Sequence, residues 1–173
     1  MTDKIIYSGK YLRMINRDGW EVAQRAIGTG AVCVVATTEN DEIILVEQYR
    51  KPVQRRVIEL PAGLIGDVHS EAPILAAQRE LIEETGYDAN SFSLIYEAPS
   101  SSGMSDEIIS MVRAPHCFKV GDGGGVDGED ITVHVIKIDK VMDWITSMWI
   151  AGKRAPYIDH KIYAALYHIL GEK

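Results

Sequence analysis

The stretch Arg79-Glu80-Leu81-Ile82-Glu83-Glu84-Thr85-Gly86-Tyr87 constrains this chain more than any other. Wound as an α-helix, it sets Glu80 beside Glu83 at i,i+3 and beside Glu84 at i,i+4, so three carboxylates share about one turn. Steps of roughly 100° per residue put Ile74, Ala77 and Leu81 on a separate, apolar stripe of the same helix. Such a helix must bury one stripe against other elements while a neighbouring stripe collects like charge. Carboxylates this close repel, and packing gives no reason to gather them. A hard cation such as Mg²⁺, which takes carboxylate and phosphate oxygens, gives one. A solvated Glu-rich helix surface is the alternative that these residues alone leave open.

The flanking residues also read as helix punctuation. Ser70 is placed to cap the N-terminus, Pro73 falls in the first turn where a missing N–H does no harm, and Gly86 is placed to end the helix in a left-handed conformation. Upstream, Glu59-Leu60-Pro61-Ala62-Gly63 leads through a loop to Glu71, which precedes Arg79 by eight positions. Together these residues resemble the signature of the Nudix hydrolases: Gly, five residues, Glu, seven residues, then Arg-Glu-apolar-x-Glu-Glu-x-Gly-apolar. Glu71 and all of 79–87 match, whereas seven residues separate Gly63 from Glu71, so the loop is two residues longer than the pattern.

Bulk properties fit a soluble globular protein. A chain of 173 residues suits one domain with a proper core, and 46% hydrophobic with 25% charged residues is ordinary for a globular protein. No apolar run approaches the ~20 residues of a membrane span. The N-terminus, with Asp3 and Lys4 ahead of Ile5-Ile6-Tyr7, lacks a signal-peptide core, so a cytoplasmic location without a membrane partner is expected. A net charge of −7 argues against a nucleic-acid partner and requires an anionic substrate to be met by local cations. Cys33 and Cys117 lack metal-ligand spacing, and Cys33, within Ala31-Val32-Cys33-Val34-Val35, reads as a buried strand residue. The five histidines lack ligand spacing too.

Residues 4–26 read as short strands turning at Asn16-Arg17-Asp18-Gly19. Strands are expected at 31–36, 41–48 and 56–60 before the acidic helix and at 94–98, 107–114 and 131–138 after it, with helices at 140–151 and 158–170. That order predicts an α/β or α+β sandwich. The resemblance implies a Nudix-type αβα sandwich with a mixed sheet. It further implies an N-terminal β-rich segment at 1–28, serving dimerisation and base binding, ahead of a hydrolase domain at 29–173.

The glycine- and acid-rich run 121–130 reads by itself as a flexible surface turn, and it fails the EF-hand pattern. Its part Val126-Asp127-Gly128-Glu129-Asp130-Ile131 is similar to the acidic loop of the Nudix subgroup that hydrolyses ADP-ribose and other nucleoside diphosphate sugars. That likeness puts Glu129 at a metal-binding position and Asp127, where the subgroup usually has the longer Glu, at the candidate general base. The implied metal set is Glu80, Glu83, Glu84, Glu129 and the Ala62 carbonyl around Mg²⁺, with Mn²⁺ as a substitute. The implied catalytic residues are Glu83, Glu84, Asp127 and Glu129, with Glu71 and Arg79 pairing to support the helix.

On the substrate side, Glu47-Gln48-Tyr49-Arg50 resembles the subgroup segment whose arginine contacts the diphosphate, a task suited to a permanently charged fork. Arg55 and Arg56 read as charges on a strand edge. Trp20-Glu21-Val22-Ala23-Gln24-Arg25 looks like the segment that stacks an aromatic ring on the base and supplies an arginine, in the family often across a homodimer. Trp20 reads equally well as a core plug. Gly103, Met104 and Ser105 lie in a segment resembling the substrate loop, with Ser102 where ADP-ribose pyrophosphatases carry a proline, and Glu59 completes the implied substrate set. The implied reaction is Mg²⁺-dependent hydrolysis of the pyrophosphate of a nucleoside diphosphate sugar to a nucleoside monophosphate and a sugar phosphate. Two rivals are a Nudix hydrolase of dinucleoside polyphosphates or NADH, against which the acidic loop and Gln48-Tyr49-Arg50 argue, and a non-catalytic nucleotide-sugar-binding module, which would be expected to lack these carboxylates.

Overall fold

The computed structural model describes residues 3–28, 30–66, 71–126, 128–150, 152 and 155–171. The N-terminal residues form an antiparallel sheet in the order β1 (Lys4–Ser8), β2 (Leu12–Arg17), β3 (Trp20–Arg25). The expected turn joins β2 to β3: Asp18 (φ 52°) and Gly19 (φ 93°) both take positive φ, and Asn16 Oδ1 accepts the Gly19 amide at 3.0 Å. Two successive positive φ values give a hairpin turn the twist its strands need.

The second sheet is mixed, as expected, and has nine strands. Its main path runs through β12 (Tyr157–Ile158), β6 (Arg55–Glu59), β5 (Glu42–Arg50), β4 (Gly30–Thr38), β10 (Ile108–Lys119) and β8 (Tyr87–Asp88). Off this path, β7 (Ala62–Ile65) pairs with β4, β9 (Ser93–Pro99) with β10, and β11 (Thr132–Lys137) with β5. The β4–β10 and β6–β12 pairs are parallel. Strand alternation sends successive β4 side chains to opposite faces. Val32 and Val34 join Ile44, Val112 and the α1 (Pro73–Thr85) residues Ala76, Ala77 and Leu81 in one core. Cys33 and Val35 join Ile43, Leu45 and Ile58 under Val141 and Ile145 of α2 (Val141–Ile150) and Ile162, Leu166 and Ile169 of α3 (Lys161–Gly171) in the other. Helices on both faces of one sheet make the αβα sandwich.

The acidic helix differs from its sequence reading in two details. Its N-cap is Ala72, without a side-chain cap, and Ser70 lies outside the described residues. Ala72 precedes Pro73, which pushes it to extended φ and ψ of −73° and 150°. Ile74 is 39% exposed, and Ala76, fully buried, takes its place on the packed stripe. At the other end Gly86 is left-handed as expected (φ 69°), its amide donating to Ile82 O at 2.8 Å. The third helix begins at Lys161 rather than 158, because Ile158 pairs with Ile58 in β12 and Asp159 Oδ1 accepts the Lys161 amide at 2.8 Å.

Candidate active site

Strand β7, read from sequence as part of a loop, creates the floor of the site. It pairs antiparallel with β4 (Cys33 opposite Ala62, Val32 opposite Gly63) and lies against α1. The Ala62 amide donates to Glu84 Oε2 at 3.0 Å, and the Glu80 carboxylate occupies the space that a Cβ at position 63 would fill. Glycine at 63 is therefore what admits this carboxylate to the strand. Glu80 and Glu84 are only 9% and 4% exposed, unlike the solvated helix surface that the acids alone left open.

Burial raises the Glu84 pKa to about 8, and the like charges of Glu80 and Glu129 add to the rise against the opposing Ala62 amide and Arg50. A nearly buried carboxylate with like charges beside it is costly without positive charge nearby. Arg79 supplies some. Its Nη1 meets Glu80 at 2.8 Å and Glu83 at 3.2 Å, and its Nη2 meets Glu71 at 2.8 Å and Leu64 O at 3.3 Å. The expected Glu71–Arg79 pair is thus found, with Arg79 tying the helix to both β7 and the loop before it. Among the described residues no three Asp, Glu, His or Cys side chains stand at ligand distance from one ion, since Arg79 holds Glu80 and Glu83. The donor set nevertheless suits a hard divalent cation: oxygen ligands, clustered negative charge and a carboxylate made basic by burial.

The glycine run is not a free turn. It closes the C-terminal end of α1, whose last carbonyls lack helical partners. The amides of Gly125 and Gly124 donate to Glu83 O and Glu84 O at 3.0 and 2.8 Å, Lys119 Nζ to Thr85 O at 2.9 Å, and Val120 N to Gly86 O at 2.8 Å. Gly123, at φ 71°, packs its α-carbon onto the Thr85–Gly86 backbone, where a side chain has no room. A Cβ at Gly125 would meet Glu129 Oε2 at 2.6 Å. Docking of the run onto α1 brings Glu129 to the cavity that Glu84 lines, near enough for its charge to act on Glu84, and Val126 N steadies its carboxylate at 3.2 Å.

These elements enclose a cavity of about 410 Å³. Ala62, Glu80, Glu84 and Glu129 line it together with Arg25, Arg50, Glu59 and Lys161. Gln48 and Arg50 on β5 share a sheet face with Glu59 on β6, and Arg50 Nε donates to Glu59 Oε2 at 2.7 Å. Arg25, at the end of β3, is held by Glu107 at 2.6 Å and reaches the cavity of its own chain. Trp20 is 66% exposed and so is not a core plug. It lies with Gly103, Met104 and Ser105 in a separate hollow of about 480 Å³. The hollow is set by Ala23 N donating to Met104 O at 2.8 Å and by a bridge between Ala23 and Ser105. Strand β3 spans the two hollows, about 17 Å from Trp20 to Arg25 at roughly 3.4 Å per residue.

Of the residues expected at the site, Glu83 lies outside the cavity lining, drawn to Arg79, and Asp127 lies outside the described residues. Lys161 was not anticipated. It is the first residue of α3, and its Nζ donates to Asp159 Oδ2 at 2.6 Å. Burial works against its charge, but the bond to Asp159 overcomes this and leaves its pKa above the ordinary lysine value. A lysine between Asp-His and an apolar helix carries no local signal of facing a cavity formed by other strands. Cys33 also lines the cavity, and burial pushes its thiol up to about 12, so it stays protonated and inert.

Known proteins resemble this chain in sequence and fold. Residues 28–162 match the family described as NUDIX domain. The chain is 35% identical to the ADP-ribose pyrophosphatase of Bacillus subtilis (strain 168) over 139 residues, 77% of this chain and 74% of that one. It is 34% identical to the methanol dehydrogenase activator of Bacillus methanolicus over 148 residues, 81% of this chain and 78% of that one. Against the GDP-mannose pyrophosphatase of Cronobacter sakazakii (strain ATCC BAA-894) identity is 31% over 114 residues, 61% and 58% of the two chains. A crystal structure of an ADP compounds hydrolase shares the fold, with a TM-score of 0.69 at 16% identity over 99% of this chain and 94% of that one. With the family match spanning most of the molecule and the acidic helix at its centre, the chain belongs to the Nudix family.

Proposed function

We propose that this chain hydrolyses the pyrophosphate bond of nucleoside diphosphate sugars, ADP-ribose and GDP-mannose among them, to a nucleoside monophosphate and a sugar phosphate. The observation that carries this reading is the meeting of Glu80, Glu84 and Glu129 with Arg25, Arg50 and Lys161 in one cavity. Acids to hold a cation and bases to hold a diphosphate are the two halves that phosphoanhydride hydrolysis needs. Relatives named ADP-ribose pyrophosphatase and GDP-mannose pyrophosphatase support the substrate class.

Ala62, Glu80, Glu84 and Glu129, with Glu83 once it leaves Arg79, would hold Mg²⁺, for which Mn²⁺ substitutes. When bound, the cation supplies charge screening, polarisation of a phosphoryl oxygen and a lowered pKa for water. Glu59 fixes Arg50 by its Nε, and recognition of a diphosphate by a guanidinium uses the terminal fork. Glu129, carried by the docked loop, or its neighbour Asp127 takes the proton of the attacking water. The new bond joins that water's oxygen to phosphorus, and the bond from phosphorus to the bridging oxygen breaks with its electron pair on the leaving phosphate. Trp20, with Gly103, Met104 and Ser105, offers an aromatic face for the base.

Residues 1–28 serve as the dimerisation and base-binding segment in this reading and 29–173 as the hydrolase domain. Tyr7, Leu12 and Met14, which are 68%, 52% and 41% exposed, form an apolar patch on the outer face of the N-terminal sheet, and a second copy of the chain would cover it. The cysteines are free thiols, in keeping with a reducing cytoplasm. The test is release of nucleoside monophosphate from ADP-ribose, GDP-mannose and UDP-sugars with Mg²⁺. Release from one or more, abolished by EDTA, is expected, and no release from any would overturn the reading.

A further inference from the structure

Arg56 has no place in the cavity lining and reads from sequence as a strand-edge charge, yet it sits at the centre of a bonded cluster. Its Nε donates to Glu47 Oε1 at 2.6 Å and its Nη2 to Glu47 O at 3.0 Å. From there it crosses to the acidic loop: Nη1 meets Asp130 Oδ2 at 2.7 Å, and Nη2 lies 3.4 Å from both Asp130 O and Thr132 Oγ1. The register explains the convergence. Arg56 is opposite Tyr49 and Glu47 is opposite Thr132, so β6, β5 and β11 place Arg56, Glu47 and Thr132 on one face. Glu47 is held in turn by His134 Nε2 at 3.0 Å, and the His134 ring packs on Trp144 of α2, centroids 5.1 Å apart.

We infer that Arg56 is a positioning residue for the cation site, clamping the acidic loop at Asp130 so that its neighbour Glu129 stays in the cavity that Glu84 lines. The loop has two anchorages on either side of Glu129. The glycine amides tie its beginning to the end of α1, and Arg56 ties its end to the sheet. A lone exposed ion pair is weak, and Asp130 is largely exposed. Arg56 is a stronger clamp because one planar fork joins a carboxylate, two backbone carbonyls and a hydroxyl, with its own orientation fixed by Glu47. Lysine cannot reproduce that geometry.

The inference rests on the proposed cation-dependent hydrolysis, so its test reads cation binding as well as turnover. Mn²⁺ is titrated into the substrate-free full-length protein, followed by electron paramagnetic resonance of free Mn²⁺, for the wild type and for Arg56→Ala, Arg56→Lys and Asp130→Asn. Hydrolysis is measured alongside at saturating and limiting Mg²⁺. Loss of an outer partner of a cation ligand weakens binding about 10- to 100-fold. Arg56→Ala is therefore expected to weaken Mn²⁺ binding about tenfold and to lower kcat while KM for the nucleotide sugar moves little. Arg56→Lys should behave almost as badly, and Asp130→Asn should show a smaller change in the same direction. Mn²⁺ affinity and Mg²⁺ requirement at wild-type values in the Arg56 variants would overturn the inference. If those variants fail to fold, an unchanged Mn²⁺ affinity in Asp130→Asn does so. A wild type that binds Mn²⁺ but cleaves no nucleotide sugar fails the proposed function instead, and leaves the clamp to stand or fall on Mn²⁺ affinity.

Discussion

Glu84 concentrates the tension in this site. It is 4% exposed, accepts the Ala62 amide, and has its pKa raised to about 8 from a model-peptide value of 4.5. An acid with a raised folded pKa holds its proton more tightly when folded than when unfolded. Between pH 4.5 and about 8 the folded state carries the extra proton, so stability from this group falls as pH rises through that window. Above about 8 the whole penalty, on the order of a few kcal/mol, is present. Glu84→Gln should remove this slope from the cation-free protein, making it more stable than the wild type at pH 8.5 and about equal at pH 4.5. The same substitution should lower kcat by at least about 100-fold, beyond what loss of a mere supporting partner costs. Mg²⁺, which binds the ionised carboxylate, should flatten the slope of the wild type. Denaturant unfolding across pH with and without Mg²⁺ checks this, and a slope that persists in Glu84→Gln would assign it to another group.

At the scale of elements, helix α1 and the glycine run form one device. The run caps the helix and the helix seats the run, so Glu80 and Glu84 meet Glu129 only when both are docked. Gly123→Ala puts a methyl onto the Thr85–Gly86 backbone at φ 71°, whereas Gly128→Ala, at φ 84°, enters open space. We expect Gly123→Ala to cost about 1–3 kcal/mol and to lower kcat severalfold by undocking the loop. Gly128→Ala carries only the left-handed penalty of about 1 kcal/mol. Equal losses in the two variants, measured by urea unfolding, would show that the docking contact carries no weight. The helix was legible in sequence because its signals are local: acids at i, i+3 and i+4, an apolar stripe, and Gly86 as a stop. The docking of the run was not, because the demand for glycine at 123 is set by the backbone of Thr85, distant in sequence. Four residues at 62–65 show no period that separates a strand from a loop, and β7 exists through its pairing with β4. Lys161 and Arg56 escaped for the same reason: their roles depend on which strands become neighbours.

The whole molecule presents two sheets of different character. In the nine-stranded sheet β4 is buried on both faces, while in the N-terminal sheet β1 is exposed throughout and only Ile15 of β2 is buried. The inner face of the smaller sheet is already used: Ile15 is 1% exposed, and Gln24 and Arg17 hold Asp106 at 2.6 and 3.1 Å. Its outer face sets Tyr7 opposite Met14, with Leu12 two residues away on the same side, and these apolar groups point outward. An uncovered apolar face on a small sheet is costly in water, and a second chain would remove that face from solvent. Because β3 carries both Trp20 and Arg25, whatever steadies this sheet also steadies both hollows. Sedimentation equilibrium should therefore return twice the 19.2 kDa of one chain. Leu12→Asp with Met14→Asp, which places charge on the proposed dimer face, should return a single chain with KM for the nucleotide sugar raised severalfold. Mn²⁺ binding should change little, since Glu80 and Glu84 come from α1 and Glu129 from the loop docked on it, not from the N-terminal sheet. A wild type that sediments as one chain at tens of micromolar would leave the patch uncovered, and would assign base binding by Trp20 to a sheet held by its own chain alone.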